Sequence, residues 1–110
     1  MKIAKRDLYQ KELRRAIVQL KPFAPEKIIL YGSMVRRSPS KESDLDLLLV
    51  KSTKKPFLKR NIEAASYLDL AVPYDIFVVT PQEFQKGILE NSPFFYEIIK
   101  TGRTVYERPS

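Results

Sequence analysis

Seven consecutive residues, Asp44-Leu45-Asp46-Leu47-Leu48-Leu49-Val50, constrain the fold of this chain more than any other segment. The apolar run follows a polar stretch, Ser38-Pro39-Ser40-Lys41-Glu42-Ser43, that reads as an exposed loop, so 44–50 reads as a β-strand. Side chains two apart on a strand share a face, with Cα atoms roughly 6.6 Å apart. Asp44 and Asp46 therefore share one face, while Leu45, Leu47 and Leu49 share the other. The leucine face calls for a helix layer to bury it. The acids are left projecting into a cleft, where their repulsion calls for a cation.

The rest of the composition narrows the chemistry of that cleft. The chain has no Cys and no His, which excludes a nitrogen and sulfur zinc site, a thiol nucleophile and an imidazole base. Acid, base and metal work fall to Asp and Glu. Hard carboxylate oxygens favour Mg²⁺ or Mn²⁺, and Mg²⁺ commonly takes one or two carboxylates from a protein and its remaining ligands from water and substrate phosphates.

A second strand, Lys27–Tyr31, leads into Gly32-Ser33, which ten residues separate from Asp44. A residue without Cβ lets backbone approach a phosphate closely, and a helix starting near Ser33 offers unpaired N–H groups, to which the Ser33 hydroxyl adds a donor. Taken by itself, a Gly-Ser after a strand is more often an ordinary turn. Its position beside an Asp-x-Asp strand makes the combination informative.

The run Gly32-Ser33-Met34-Val35-Arg36-Arg37 through Ser43-Asp44-Leu45-Asp46-Leu47-Leu48-Leu49-Val50 resembles the signature of the minimal nucleotidyltransferases, the MNT branch of the DNA polymerase β superfamily. That signature is Gly-Ser, a spacer of about ten, then Asp-x-Asp, with a third acid on a later strand. Asp75, in Pro73-Tyr74-Asp75-Ile76-Phe77-Val78-Val79, matches the third acid. Without the resemblance, Asp75 equally suits a turn residue after Pro-Tyr. The resemblance spans roughly residues 26 to 90. One departure is Arg37, where the family often has Gly; its side chain either crowds the nucleotide or adds a phosphate contact.

The resemblance implies that Asp44, Asp46 and Asp75 are catalytic and hold two Mg²⁺ ions, about 3.5–4 Å apart in typical two-metal sites, with Asp75 assisting deprotonation of the attacking hydroxyl. It implies in-line attack on the α-phosphate of a nucleoside triphosphate, ATP in the first instance, with loss of pyrophosphate. Gly32 and Ser33 would hold the β- and γ-phosphates and Arg36 would neutralise them.

The remaining segments supply a framework for such a site. Residues 7–20 place Leu8, Leu13, Ala16, Ile17 and Leu20 on one helical stripe that Pro22 and Pro25 end. A helix is expected over about Pro56–Leu70, from the spacing of Leu58, Ile62, Ala65 and Leu68, and a third strand over Tyr74–Val79. Thr80-Pro81-Gln82-Glu83 carries a capping box, Ser92-Pro93 opens a last helix that stops at Gly102, and Thr104-Val105-Tyr106 suits a short terminal strand. The aromatic residues Phe94, Phe95 and Tyr96 of that last helix suit core or an interface, core being the favoured reading. The expected fold is α/β in the α+β sense: a small mixed sheet flanked by helices, a palm-like nucleotidyltransferase core in one domain over residues 1–110.

Twenty Lys and Arg against 13 Asp and Glu give a net charge of +7. Residues 1–27 hold eight basic and three acidic side chains, and 51–60 holds five basic residues and no acid. Such surface draws a triphosphate, a nucleic acid or an acidic protein, though most charge runs are solvated faces. Lys54, Lys55, Lys59 and Arg60 are the candidates there for a nucleotide or partner contact. No apolar run approaches the ~20 residues of a membrane span, and Met1–Asp7 lacks the apolar stretch of a secretory signal, so a cytoplasmic address is expected.

Larger relatives of the superfamily carry an extra domain for the acceptor, so this chain is expected to find its acceptor by forming a homodimer or by docking on another protein. The resemblance implies the second: MNT proteins commonly pair with a helical HEPN toxin, for which they serve as antitoxin and to whose tyrosine they add AMP. Two other readings are an idle MNT core that neutralises a partner by contact alone, and a small basic nucleic-acid-binding module. The latter lacks any helix-turn-helix, ribonucleoprotein or zinc motif.

Overall fold

The computed structural model describes residues 5–32, 44–90 and 92–109. Helix α1 (Lys5–Leu20) runs into a single 3-10 turn, Lys21–Phe23, that contains Pro22. Ala24 then takes a left-handed conformation (φ 62°, ψ 50°) with its N–H bonded to the Lys21 carbonyl, which closes the helix ahead of Pro25. There follow β1 (Lys27–Tyr31), β2 (Leu45–Val50), α2 (Phe57–Ala65), β3 (Tyr74–Val79), α3 (Pro81–Leu89), α4 (Pro93–Thr101) and β4 (Arg103–Glu107). The order of the described elements is the one expected, terminal strand included, while the helix expected to start near Ser33 and the loop expected over 38–43 lie outside the described residues.

The strands form a mixed sheet in the order β3-β2-β1-β4. β1 is antiparallel to both β2 and β4, while β2 and β3 are parallel, joined by the crossover helix α2. Ile28, Leu30, Leu45, Leu47, Leu49 and Val78 form one face, buried against Tyr9, Leu13, Ala16 and Leu20 of α1. The leucine face of β2 thus has the helix layer its alternation demands. On the opposite face Ile29, Tyr31, Leu48, Val50 and Val79 pack against Ile98 of α4, with Phe84, Phe94 and Phe95 at the margin. Phe94 and Phe95 are half-buried there, as their core assignment requires, whereas Tyr96 is 53% exposed.

One buried charge fixes α1 to the β3 approach. Glu12 is only 2% exposed, accepts a hydrogen bond from the Ala71 N–H and one from Arg15 at 2.7 Å. The Arg15 bond, then the Ala71 bond, hold its carboxyl below the usual range. Its periodicity alone would have placed it in the stripe with Leu8, where a carboxylate is unexpected until the Ala71 N–H is known to need an acceptor.

Helix α2 corrects two expectations. It ends at Ala65 rather than near Leu70, because the chain tightens into i→i+3 turns (Tyr67 N–H to Ala64, Leu68 N–H to Ala65) and the Ser66 hydroxyl bonds back to the Glu63 carbonyl. Its apolar stripe also faces outward: Leu58 is 69% and Ile62 62% exposed, while Arg60 and Ala64 are buried. The cause is the sheet edge. β3 is an edge strand, and a free row of backbone groups must be covered. The Asn61 Oδ1 accepts from the Val78 N–H at 2.8 Å and Arg60 donates to the Val78 carbonyl at 3.2 Å, so two polar side chains of α2 stand in for a fifth strand.

Arg60 also donates from both terminal nitrogens to Glu83, at 2.6 and 3.2 Å. Glu83 is the capping-box residue of α3, accepting from the Thr80 N–H at 2.8 Å while its own N–H bonds the Thr80 hydroxyl at 3.1 Å. The box read from Thr80-Pro81-Gln82-Glu83 is present, and it is tied through Arg60 to the sheet edge.

Candidate active site

β1 ends where β2 and β3 begin, so three strand termini meet at one end of the sheet. Register sets what they present. Tyr31 is the Cα partner of Asp46 across β1 and β2, and Asp46 is the partner of Asp75 across β2 and β3. The three side chains form a row on the face that carries α4. Asp44, one residue ahead of β2, joins them: one carboxylate oxygen from each of Asp44, Asp46 and Asp75 lies within 4.8 Å of the others. All three predicted acids are therefore in one cluster, and Asp75, from the far edge strand, is on the same side as the pair.

Among the described residues, the charges that act on the cluster are acidic. Burial first, then the charges of Asp75, Asp44 and Glu97, push the Asp46 carboxyl up to about 6. Asp75, the exposed member, is also raised, by burial and then by Asp44. Carboxylates held together this way either share protons or take up a cation, and an all-oxygen donor set suits a hard divalent ion such as Mg²⁺ or Mn²⁺.

Gly32 follows Tyr31 directly and adopts φ +82°, a left-handed conformation that side chains rarely take. A Cβ there would overlap Asp46 Oδ2 and stand 3.2 Å from its Cγ. The glycine thus clears space for the Asp46 carboxylate as well as turning the chain. Ser33, Arg36 and Arg37, the other residues of the predicted phosphate turn, lie outside the described residues.

Three residues that sequence reasoning missed surround the acids. Tyr31 is buried, and burial, followed by Asp46, Asp75 and Glu97, raises its phenol, so it stays protonated at neutral pH. Glu97, on α4, adds negative charge from below. The Tyr9 phenol of α1 is raised by burial and then by Asp44. Tyr31 reads in the sequence as the last apolar residue of a strand. Only the register of β1 against β2 shows that it stands beside Asp46.

The basic stretch 51–60 lies at the opposite end of β2 from the acids, and most of it is occupied. Lys51 lies 3.8 Å from the Phe23 ring centroid and donates to the Phe23 carbonyl, Lys55 pairs with Glu63 at 2.8 Å, and Arg60 is committed to the sheet edge. Lys54 and Lys59 remain on an open cleft with Thr53, Lys55 and Pro56. Among the described residues, no helix is long and apolar enough to cross a membrane.

A family profile described as polymerase beta, nucleotidyltransferase matches residues 15–110, which include the whole sheet and all three acids. The chain belongs to the polymerase β nucleotidyltransferase family. None of the curated proteins matches its sequence significantly. Solved structures do share its fold. A candidate nucleotidyltransferase from Sulfolobus solfataricus superposes with a TM-score of 0.65 at 17% identity, over 97% of this chain and 91% of that one. A chain of the tri-AMPylated Shewanella oneidensis HEPN toxin in complex with its MNT antitoxin gives 0.50 at 16%, over 91% and 73%. A mutant MntA–HpeT toxin–antitoxin gives 0.52 at 15%, over 86% and 73%. At these identities the likeness is one of fold, and the polymerase β nucleotidyltransferase sheet is what they have in common.

Proposed function

We propose that this chain is a metal-dependent nucleotidyltransferase that moves a nucleoside monophosphate, AMP from ATP, onto a hydroxyl, and that the acceptor is a tyrosine of a HEPN partner for which the chain serves as antitoxin. The observation that carries the reading is the convergence of Asp44, Asp46 and Asp75 within 4.8 Å beside a left-handed glycine, in a chain of the polymerase β nucleotidyltransferase family. The partner is supported by the fold shared with a complex in which an MNT antitoxin accompanies an AMPylated HEPN toxin. On this reading the protein works as one domain in the cytoplasm, where nucleoside triphosphate is available.

Asp44, Asp46 and Asp75 would hold Mg²⁺, which when bound neutralises phosphate charge and makes the attacking hydroxyl more acidic. The chain's own residues do the rest. Gly32 puts no side chain against the Asp46 carboxylate, and on this reading its backbone, with Ser33 and Arg36, contacts the phosphates. In the transfer, the hydroxyl oxygen bonds to the α-phosphorus, the bond to the bridging oxygen breaks, and pyrophosphate departs. Asp75 receives the hydroxyl proton: it is the exposed acid, reachable by a macromolecular acceptor. Asp46, more enclosed, is the anchoring carboxylate.

The test is incubation with ATP labelled at the α-phosphate, Mg²⁺ and a candidate HEPN partner protein. Label is expected on a partner tyrosine, and Asp44→Asn or Asp46→Asn should reduce it by at least about 100-fold. Undiminished labelling by Asp46→Asn would refute the assignment.

A further inference from the structure

On the same face of the sheet as the acids, further along β3 from Phe77 to Val79, lies an aromatic cleft with no part in the chemistry above. Phe77 stands two residues beyond Asp75 on β3, so both point to one face with Cα atoms roughly 6.6 Å apart. The Phe57 ring, from the first residue of α2, lies nearly parallel to Phe77 with centroids 6.1 Å apart and planes at 20°. Phe94, from α4, meets Phe77 edge-on at 5.6 Å and also meets Tyr31, the neighbour of Asp46, edge-on at 5.7 Å. Phe57, Phe77, Val79, Phe94 and Phe95 line a cleft of about 320 Å³, within the size range of small-ligand sites. Phe57 is 46% exposed, although burying that ring would be favourable.

The geometry points to this cleft as the seat of the nucleobase, held by stacking on Phe57 and Phe77. The inference rests on the nucleotidyltransferase reading above. Two facts favour a base over other apolar occupants. Two of its lining residues reach the acid row, Phe77 as the next same-face residue after Asp75 on β3 and Phe94 through its edge-on contact with Tyr31, the register partner of Asp46. Its aromatic planes are open to solvent on one side, as a flat ring requires. All five lining side chains are apolar, so a base is gripped by its π face without its edge being read. ATP and GTP are therefore expected to bind alike.

Calorimetric titration of the full chain with Mg-ATP, Mg-GTP and Mg-tripolyphosphate, which has neither base nor sugar, separates the two readings. Phe57→Ala should weaken ATP about 10-fold, the loss of one base stack, leave tripolyphosphate unchanged, and be reversed by Phe57→Trp. Phe57 is exposed enough that an unaltered melting temperature is expected, and this serves as the control for folding. ATP affinity unaffected by Phe57→Ala, or an equal loss for ATP and tripolyphosphate, would overturn the base site while leaving the transferase reading intact. A preference for ATP over GTP of 100-fold or more would also overturn it, since that requires hydrogen-bond reading. If neither ATP nor tripolyphosphate binds the unmodified chain with Mg²⁺, the transferase reading itself falls.

Discussion

Asp46 and Asp75 are direct register partners across the only parallel pair of strands in the described sheet. Like charges opposite each other destabilise a sheet, and here a third acid, Asp44, sits against the same pair. Such a cluster is a candidate site for a divalent cation, whose charge would offset the repulsion.

The pH dependence of the metal-free protein follows. The Asp46 carboxyl titrates at about 6 in the folded chain but near 3.9 when unfolded, so the folded state binds that proton more tightly. Its contribution is fully favourable below about pH 4 and is lost as pH rises through 6, by about 1 kcal/mol once solvent screening is allowed for. In EDTA, Asp46→Asn should therefore melt higher than the unmodified protein at pH 8, with the gap closing by pH 4. Because protons and Mg²⁺ compete for the same oxygens, Mg²⁺ affinity should weaken below pH 6. A melting-temperature gap that stays constant between pH 4 and 8 would count against this account.

Gly32→Ala should destabilise the chain by about 1–3 kcal/mol, by forcing a side chain into a left-handed conformation and by driving its Cβ onto Asp46 Oδ2. The two contributions are separable. In an Asp46→Ala background the steric part disappears, so urea unfolding should show a smaller penalty for Gly32→Ala there than in the unmodified chain. Equal penalties in both backgrounds would mean that the contact with Asp46 is not what keeps the position a glycine.

Much of this was legible in the sequence. Asp-x-Asp on an alternating strand set the shared face of Asp44 and Asp46, and the leucines between them announced the helix layer. The capping box at Thr80 and Glu83 and the stop at Gly102 were local signals, and local signals survive the absence of tertiary context. What stayed hidden depended on strand order. Tyr31 beside Asp46, and Asp75 beside Asp46, follow from pairing, which no single segment records. The inward face of α2 was misread for a related reason: an apolar stripe predicts burial only when the neighbour is an apolar sheet face, and its neighbour is the polar edge of β3.

That correction is directly testable. If Leu58 and Ile62 are on the outer face of α2, Leu58→Glu and Ile62→Glu should each change stability by less than about 0.5 kcal/mol, as read from chemical denaturation. Ala64→Glu, one turn away on the buried face, should prevent folding. Loss of more than about 2 kcal/mol from Ile62→Glu, a cost typical of a core position, would restore the sequence-based stripe as the packed face.

The edge of the sheet hangs on Arg60. Its Nε donates to the Lys55 carbonyl at 2.7 Å and its terminal nitrogens hold the Val78 carbonyl and both oxygens of Glu83. Glu83 is itself nearly half exposed, so the ion pair alone contributes modestly. The larger effect of Arg60→Ala is that two backbone carbonyls near a sheet edge lose their donor, for a total of about 2–3 kcal/mol. Lysine keeps the charge without the planar fork, so Arg60→Lys should recover less than half of that loss. The Arg60 bond holds the Glu83 carboxyl below its ordinary 4.5. The pair's contribution is therefore present above that pH and lost as pH falls below it, and the gap between the unmodified protein and Arg60→Ala should narrow towards pH 3. Full rescue by lysine would assign the effect to charge, and would remove the reason for a buried guanidinium on a helix face that could have carried leucine.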